Sequence, residues 1–431
     1  MDCLNLRTAE IIAVGSELLG STRLDTNSLF ITTELAALGI QVTAKAVVGD
    51  DRARLRDLFT LALRRADVVV VTGGLGPTDD DLTREAVTDA LALRLVEDDA
   101  ITARIRHRFE RRGLTMPEVN RKQAMVPGGA TVLANPHGSA PGLVIPVGEK
   151  LAILLPGPPR ELQPMLTALC GPSGLLGARA GAERRHTVSL FTTGVSESQV
   201  EEIAQPLYSR WRETDEPIET TILATPGQVE LHLSMRSTDA ARAMQVLEGA
   251  RDQLVQALGV CAFCVDGRQL PQVVGDMLRE HRLTFAAAES CTGGLLLARM
   301  TEVPGSSAYV LGGVVSYSDA LKEDLVGVDP AVIAAHGAVS EATAAAMADG
   351  VHDRTHAGVC VAITGIAGPS GGTEAKPVGT VAIAVRVDGQ PLSLRTHLFP
   401  GARDIVRFQA TQTALDGVRR ILLSSERSAR P

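Results

Sequence analysis

The sequence predicts an α/β fold in which two α/β domains are joined by a small α+β domain. Residues 1–170 and residues 265–425 each alternate short apolar runs with helix-like segments, which is typical of parallel sheets covered by helices. Residues 171–264 differ, because they begin with a connector rich in glycine and alanine and continue as strand, helix, two strands and helix. A chain of 431 residues suffices for roughly two to four domains, so three domains fit its length.

The first α/β domain is predicted from its buried strands and from the helices between them. Its first helix begins near residue 25, and Asp25 is expected to be the N-cap because its carboxylate can accept free backbone N–H groups. A second helix is predicted at residues 54–65. Strands are predicted at residues 10–15, 41–48, 67–71 and 151–155, and the turn at residues 156–162 leads into a last helix.

The other two domains are predicted in the same way. In the middle domain a capping-box-like Ser196 to Gln199 opens a helix at residues 196–211. The remaining middle elements are strands at residues 186–193, 218–223 and 229–235 and a helix at residues 239–258. The second α/β domain has predicted strands at residues 283–288, 314–317, 359–364, 378–385 and 392–398, and helices at residues 270–280, 293–300 and 402–423. The last eight residues, from Ser424, are expected to be frayed.

Charge and cysteine usage limit the classes of function. A net charge of −8 argues against direct nucleic-acid binding by phosphate attraction. The sequence contains no run of 18 apolar residues and no signal-peptide pattern, so we expect no membrane partner and a cytoplasmic location. Six scattered cysteines fit reduced thiols better than a disulfide framework.

A glycine-rich loop followed by three aspartates is the most informative motif of the first domain. A buried strand at residues 68–71 runs into Gly73, Gly74 and Gly76, where backbone N–H groups can approach a ligand closely. Residues 79–81 are three aspartates, which we expect at the start of the next helix, where its dipole stabilises them. They can also hold a divalent cation. A plain turn with a helix cap is the alternative interpretation.

Three motifs of the second α/β domain combine hydroxyls, an amine and glycine-rich turns. Residues 288–294 lie between a strand and a helix, where free N–H groups can bind an anion, although a tight turn is the alternative. Residues 304–322 contain Ser307, Tyr317 and Lys322 in that order. A buried lysine can act as base for a serine hydroxyl, and a tyrosine can relay the proton; a solvated helix is the alternative for Lys322. Residues 363–379 form a loop with four glycines before Val378 that can present N–H groups to a phosphate.

Three ordered motifs of the first domain, at residues 15–27, 72–83 and 155–162, resemble the N-terminal domain of the CinA family. That domain is related to the molybdopterin-binding fold, in which a Gly-Gly-x-Gly loop and a later aspartate serve the site. The resemblance, together with an acidic position after the second strand, implies a site built from Gly73, Gly74, Gly76, Asp50 and Asp81.

The same resemblance implies a chemistry for this site. Some members of the family are credited with hydrolysing ADP-ribose with a divalent metal, so a nucleotide-binding or pyrophosphatase site is expected here. Asp80 and Asp81 are the candidate ligands for Mg²⁺ or Co²⁺. The metal would neutralise the diphosphate and orient water. Binding of a pterin without chemistry is the alternative.

Five ordered motifs of the last domain resemble the CinA C-terminal domain, which is similar to nicotinamide-nucleotide amidohydrolase. They lie at residues 288–294, 315–322, 337–341, 365–372 and 399–403. The resemblance implies hydrolysis of the carboxamide of nicotinamide mononucleotide to the nicotinic acid nucleotide and ammonia, without a cofactor. By motif, Ser307 would be the nucleophile, Lys322 the base and Tyr317 a supporting hydroxyl, with Ser290 as the rival nucleophile.

The substrate pocket and the partners follow from the same comparison of motifs. Arg403 can grip a phosphate with two N–H groups, or it can cap a helix or pair with Asp404 instead. The middle domain resembles the linker domain of full-length CinA proteins and is expected to be structural or to form a homodimer. The alternative function is a regulatory protein associated with competence or DNA damage. The residues expected around the ribose and phosphate are Ser290, Thr292, Gly293, Gly294, Thr364, Gly365 and Arg403.

Overall fold

The computed structural model describes residues 6–179 and 183–429, and it confirms the α/β class. The chain divides into two compact units. The first unit runs to residue 186 and includes residues 236–240, and the second contains residues 187–235 and 241–431. The segment between the two predicted α/β domains therefore belongs mainly to the second unit.

The first unit is built on a six-stranded sheet. Its elements are β1 Thr8–Val14, α1 Asn27–Ala37, β2 Gln41–Val48, α2 Arg52–Arg65, β3 Val68–Thr72, α3 Thr83–Leu91, β4 Leu95–Glu97, α4 Asp99–Glu110, β5 Met125–Pro127, β6 Thr131–Leu133, β7 Gly142–Val147, β8 Lys150–Leu155 and α5 Pro159–Cys170. The strand order is β2-β1-β3-β8-β7-β6, while β4 and β5 form a separate antiparallel pair. The first four strands are parallel as predicted, and β7 and β6 extend the sheet in antiparallel fashion.

The second unit contains two sheets. Its elements are β9 Arg184–Thr193, α6 Glu197–Arg212, β10 Glu219–Thr225, β11 Gln228–Ser237, α7 Ala240–Leu258, β12 Ala262–Cys264, α8 Leu270–Glu280, β13 Phe285–Glu289, α9 Leu295–Thr301, β14 Val310–Val315, α10 Asp319–Val326, α11 Pro330–His336, α12 Glu341–Thr355, β15 Val359–Gly365, β16 Thr380–Val387, β17 Ser393–Leu398 and α13 Arg403–Ala429. The smaller sheet has the order β10-β11-β9-β12 and the larger one the order β14-β13-β15-β16-β17. In the larger sheet β14, β13 and β15 are parallel to one another, whereas β16 pairs antiparallel with both β15 and β17.

The central strands are apolar on both faces because helices cover both sides of each α/β sheet. Every residue of β3 is buried, and so is every residue of β13. Separate apolar clusters lie on the two faces of each sheet. A strand buried on both faces reads as a continuous apolar run, which is why the sequence predicts these strands well.

Three expectations about element ends are wrong. Helix α1 begins at Asn27, so Asp25 precedes the N-cap Thr26, yet its carboxylate still accepts the Ser28 N–H at 3.0 Å. Strand β14 begins at Val310 rather than at residue 314. Helix α13 continues past Ser424 to Ala429, so this stretch is not frayed; residues 430–431 and the connector residues 180–182 lie outside the described residues.

Among the described residues, no helix has both the length and the apolar character needed to cross a membrane.

Candidate active site

The predicted site segments of the second unit meet where the parallel strands β13, β14 and β15 end. We call this carboxyl end of the sheet the site edge. Glu289 at the end of β13 pairs with Val315 of β14 and with Ile363 of β15. The next residue along, Ser290, donates its N–H to the Ile363 carbonyl at 2.9 Å, and Ser316 donates to the Glu289 carbonyl at 2.8 Å. The segments that follow these three strands therefore begin side by side, as expected for an α/β ligand site.

A buried carboxylate holds the turn after β13 in place. Glu289 is fully buried and accepts the N–H groups of Leu296 at 3.1 Å and Leu297 at 2.9 Å. It thereby caps α9, while Gly293 and Gly294 adopt positive φ angles of 60° and 91° that glycine accommodates without strain. The sequence analysis did not assign Glu289 a role. The sequence signal that could have identified Glu289 is an acidic residue at the end of an otherwise apolar strand, a few residues before a helix begins.

Several hydroxyls gather at this edge. Ser290 is buried, and the Thr292 and Ser316 hydroxyls are fully buried with no hydrogen-bond partner in the described part of the chain. Buried polar groups of this kind normally have a partner, so each unpaired one needs an explanation. The backbone of the same turn is tied down, because Arg407 donates to the Thr292 carbonyl at 2.6 Å.

Arg403 links two of the loops at the edge. One Nη group donates to the Tyr317 hydroxyl oxygen at 2.8 Å, and the other donates to the Gly368 carbonyl at 2.9 Å. The guanidinium thus joins the segment after β14 to the glycine-rich loop after β15. Because the Tyr317 oxygen accepts from a cation, its own hydrogen remains available to a ligand. Tyr317 is 56% exposed, so this hydrogen is accessible.

Lys322 is buried beside Tyr317. Its side chain is 2% exposed, and its Nζ lies 3.5 Å from the Tyr317 carbonyl oxygen and 3.3 Å from the Asp319 carboxylate. The alternative of a solvated helix position for Lys322 is therefore wrong. A lysine is rarely buried without a partner, and this one has a single carboxylate within ion-pair distance among the described residues.

Ser307 lies at the other end of the sheet, which corrects the predicted Ser-Tyr-Lys arrangement. It is exposed and precedes β14, whereas Tyr317 and Lys322 follow that strand. Six residues of strand separate the two ends by about 17 Å. Within one chain the structure brings Tyr317 and Lys322 together, adds Ser290 at the same edge, and leaves Ser307 apart.

The glycine-rich segment at residues 363–379, the third motif of this unit, is hydrogen-bonded to residues 336–339. The Thr364 hydroxyl donates to the Ala338 carbonyl at 2.7 Å, and Gly365 ends β15 next to it. Lys376, which the sequence analysis left unassigned, donates to the carbonyls of His336 at 2.9 Å and Val339 at 2.7 Å. The Thr364 hydroxyl therefore has a structural partner, and the loop supplies backbone groups to the edge.

Cys291 lies between Ser290 and Thr292 in the turn but is a poor nucleophile. Burial raises its pKa to about 11, against an ordinary value of 9.0. The thiolate is the reactive form, so at pH 8 its population is about a hundredfold lower than for an unperturbed thiol. We expect Cys291 to resist iodoacetamide at pH 8 in the folded protein and to react readily in urea, as measured by peptide mass spectrometry. Rapid alkylation of Cys291 without urea would contradict the burial.

The first unit carries a cavity at the carboxyl ends of its parallel strands. It has a volume of about 430 Å³, and its lining includes the predicted glycine loop. Gly73 has a φ of 99°, and a Cβ there would lie 2.2 Å from the Val14 carbonyl oxygen; a Cβ on Gly76 would lie 2.3 Å from the Asp81 carboxylate. The loop can therefore take this form only with glycine. The acidic residues that line the cavity are Glu17, Asp50, Asp80, Asp81 and Glu161.

The aspartates of this loop are held differently from the prediction. Helix α3 begins at Thr83, so residues 79–81 lie in the preceding turn rather than in the first helical turn. Asp81 accepts the Thr78 N–H at 2.9 Å and the Thr78 hydroxyl, and Asp50 accepts the Ser16 N–H at 2.9 Å. Glu17 and Glu161 lie far from the glycine loop in sequence, and for that reason the sequence analysis did not include them.

No preformed three-residue metal site exists among the described residues, counting histidine, cysteine, aspartate and glutamate ligands. Mg²⁺ commonly takes one or two protein carboxylates and completes its shell with water and substrate phosphates. Asp80 and Asp81 fit that pattern, since both line the cavity. Below the loop, the fully buried Arg84 donates to the Leu75 carbonyl, and burial lowers the pKa of this guanidinium to about 10.

The fold is that of a mixed α/β protein whose two units each place glycine-rich turns after parallel strands. Residues 10–173 match the family described as "Probable molybdopterin binding domain", and residues 267–422 match "CinA C-terminal domain". The chain is 44% identical over 420 residues to a CinA-like protein from Koribacter versatilis, which covers 96% of this chain and 100% of that protein. The chain belongs to the CinA family, which confirms the assignment made from its motifs.

One further relative and one solved structure are also similar to this chain. A CinA-like protein from Acidobacterium capsulatum is 44% identical over 421 residues, with 96% of this chain and 100% of that protein covered. The crystal structure of the competence/damage inducible protein CihA from Agrobacterium tumefaciens is 37% identical, covers 35% of this chain and 93% of its own, and has a TM-score of 0.35.

Proposed function

We propose that the second unit hydrolyses the carboxamide of nicotinamide mononucleotide and releases ammonia. The observation that carries this proposal is the buried Lys322 amine beside Tyr317, at the edge where three parallel strands end. Membership of the CinA family supports it, because the motifs of this unit resemble nicotinamide-nucleotide amidohydrolase. The substrate is a small anionic nucleotide, which suits a sheet end that carries the Arg403 guanidinium.

The proposed chemistry divides the work among three groups. A serine hydroxyl attacks the carboxamide carbon while the Lys322 amine takes its proton. The Tyr317 hydroxyl, polarised by Arg403, donates to the oxygen on which negative charge develops. The protonated amine then gives its proton to the departing nitrogen, ammonia leaves, and water hydrolyses the ester to restore the serine.

Ammonia release tests this proposal. Purified full-length protein mixed with nicotinamide mononucleotide is expected to release one ammonia for each nicotinic acid mononucleotide formed, with or without EDTA. Nicotinamide riboside, which lacks the phosphate, serves as the matched substrate and is expected to be turned over less efficiently. If the wild-type protein releases no ammonia, the regulatory alternative for this family is favoured.

We propose a second function for the first unit, the hydrolysis of ADP-ribose at its diphosphate. The supporting observation is the cavity at Gly73–Gly76 with five carboxylates in its wall. So many carboxylates around a diphosphate require a cation, and Asp80 and Asp81 would hold Mg²⁺ or Co²⁺ there. The metal, when bound, neutralises the diphosphate charge, while the glycine loop presents its N–H groups to the phosphates.

Asp81 is the residue whose replacement tests this second function. Asp81→Asn is expected to lower AMP release from ADP-ribose at least about tenfold in Mg²⁺ or Co²⁺ and to leave ammonia release from nicotinamide mononucleotide unchanged. Asp79→Asn is the matched control, because Asp79 is exposed and does not belong to the cavity wall. Equal loss of AMP release in both variants would contradict a specific role for Asp81.

A further inference from the structure

Helix α4 of the first unit carries a cluster of positive charge that neither proposed site uses. Residues 104–112 contain five arginines and one glutamate, in a chain whose net charge is −8. Residues three or four positions apart lie on one face of a helix. Arg104, His107, Arg108 and Arg111 therefore form a single row along α4 and its C-cap, and we call these four residues the basic stripe.

The basic stripe forms one wall of a cavity of about 200 Å³, and the loop at residues 135–139 forms the other. We call it the basic cavity. Arg108 is half-buried and donates to the His137 carbonyl at 2.8 Å, which joins the two walls. Arg104, Arg108 and Arg111 form no ion pair with a carboxylate in the part of the chain that the structure describes. Guanidinium groups without a carboxylate partner favour an anionic ligand, and their N–H groups match the oxygens of a phosphate.

The loop wall of the basic cavity is held in place by a buried amide. Asn135 is 6% exposed, and its Oδ1 accepts the N–H groups of His137 at 3.0 Å and Gly138 at 2.7 Å. Its Nδ2 donates to the Ala140 carbonyl at 2.7 Å and to the Glu161 carboxylate at 2.8 Å. A Cβ on Gly138 would overlap that carboxylate, so the loop needs glycine there. This wall is therefore preformed, which lowers the cost of ordering it around a ligand.

The same loop lies between the basic cavity and the carboxylate-lined cavity at Gly73–Gly76. Ser139 lines both cavities, and Glu161, which Asn135 contacts, lines the carboxylate-lined one. The two cavities are therefore neighbours of opposite charge. A diphosphate among the carboxylates needs a cation, whereas a further phosphate at the basic stripe needs none, because the guanidinium groups supply the positive charge.

We propose that the basic stripe binds a phosphate monoester on a ribose of the nucleotide whose diphosphate occupies the neighbouring cavity. This inference rests on the proposed hydrolysis of ADP-ribose by the first unit, and it names the preferred substrate class as phosphorylated ADP-ribose. The additional phosphate has two sources with the same chemistry. It is carried by the 2′-oxygen of the adenosine ribose or by the 1″-oxygen of the terminal ribose.

The additional phosphate is a handle for binding and takes no part in the reaction. Water attacks one phosphorus of the diphosphate, one P–O bond breaks, and each half of the substrate leaves with one phosphate from the diphosphate. The 2′-phosphorylated substrate then gives adenosine 2′,5′-bisphosphate and ribose 5-phosphate. The 1″-phosphorylated substrate gives AMP and ribose 1,5-bisphosphate.

Steady-state kinetics of the full-length protein in Mg²⁺ tests this preference and distinguishes the two sources. ADP-ribose, 2′-phospho-ADP-ribose and ADP-ribose 1″-phosphate are compared as substrates. One of the two phosphorylated forms is expected to have a KM at least about tenfold below that of ADP-ribose, since a hydrogen-bonded contact between charged groups contributes about that much to binding. Arg104→Gln/Arg111→Gln is expected to bring this KM ratio to within about threefold of one.

The matched control is Arg106→Gln/Arg112→Gln. It removes the same two charges from the same stretch of chain, but neither residue belongs to the wall of the basic cavity. Its KM ratio is expected to equal that of the wild type.

Isothermal titration calorimetry tests the basic cavity without hydrolysis. Adenosine 2′,5′-bisphosphate is compared with adenosine 5′-monophosphate, and ribose 1,5-bisphosphate with ribose 5-phosphate. The members of each pair differ by one phosphate, and none contains a diphosphate. The wild-type protein is expected to bind the bisphosphate of one pair at least about tenfold more tightly than its partner. Arg104→Gln/Arg111→Gln is expected to lose this preference, and the control variant to keep it.

These outcomes separate the inference from the proposed function. Wild-type protein that hydrolyses none of the three substrates contradicts the hydrolysis, and calorimetry then decides the inference alone. Hydrolysis with the same KM for all three substrates overturns the inference. It is also overturned when neither pair shows a preference for the bisphosphate, when Arg104→Gln/Arg111→Gln keeps that preference, or when the control variant loses it equally. A preference lost only in Arg104→Gln/Arg111→Gln supports the basic stripe as a phosphate site.

Discussion

Replacing Lys322 with methionine is expected to lower kcat for nicotinamide mononucleotide at least about a hundredfold, because a positioned general base contributes that much to proton transfer. The chain should remain folded, since methionine fills a similar volume and Asp319, the carboxylate partner of the Lys322 amine, is 56% exposed and stays hydrated without it. The loss should appear in kcat more than in KM, because the amine takes part in proton transfer rather than in holding the nucleotide.

The matched control for this prediction is Lys45→Met, which makes the same change at an exposed position on β2 in the first unit. Its kcat should equal that of the wild type. Activity of Lys322→Met within about threefold of wild type would remove the lysine from the chemistry.

Replacing Glu289 with alanine is expected to destabilise the second unit by about 2–5 kcal/mol. The change leaves the N–H groups of Leu296 and Leu297 without their acceptor, and a buried unsatisfied donor costs about 1–3 kcal/mol. The turn with Gly293 and Gly294 would also lose its anchor, so ammonia release should fall even where the protein remains folded.

Chemical denaturation followed by circular dichroism measures this effect, with Glu280→Ala as control because Glu280 is exposed at the end of α8. The control should lie within about 0.5 kcal/mol of wild type. A Glu289→Ala protein as stable as the control would show that the Glu289 carboxylate does not support α9.

Much of the edge at β13, β14 and β15 could be predicted from the sequence, because buried parallel strands are recognisable and their carboxyl ends must meet. The resemblance of their motifs to the CinA C-terminal domain predicts that Ser290, Tyr317 and Gly365 belong to one site, and the structure brings their segments together. The family could be predicted because several of its motifs occur in order along the sequence. These motifs are the turns that follow the strands of the sheet.

Two features could not be predicted, each for a physical reason. Gly312 and Gly313 have low strand propensity, which hid the first half of β14 and made Ser307 seem close to Tyr317. Lys322 lies in a helix with Asp319 and Asp324, a pattern that also describes a solvated surface. Its burial depends on the packing of elements distant in sequence.

The carboxylates of the first unit illustrate the same limit. Asp81 was found because it follows the glycine loop directly. Glu17 and Glu161 join it only through folding, since the ends of β1 and β8 flank β3 in the sheet. A local motif therefore predicted the loop of this cavity, and the sheet order determined the rest of its wall.

The central claim is that a serine hydroxyl, activated by a buried amine, forms an ester with the nicotinoyl group before water releases it. Interception by hydroxylamine tests this most directly, because an ester intermediate partitions between water and the stronger nucleophile. Turnover of nicotinamide mononucleotide with increasing hydroxylamine is expected to yield the hydroxamate of nicotinic acid mononucleotide at the expense of the acid, while ammonia release continues. Exclusive formation of the acid at every hydroxylamine concentration, with ammonia released at the normal rate, would contradict the claim.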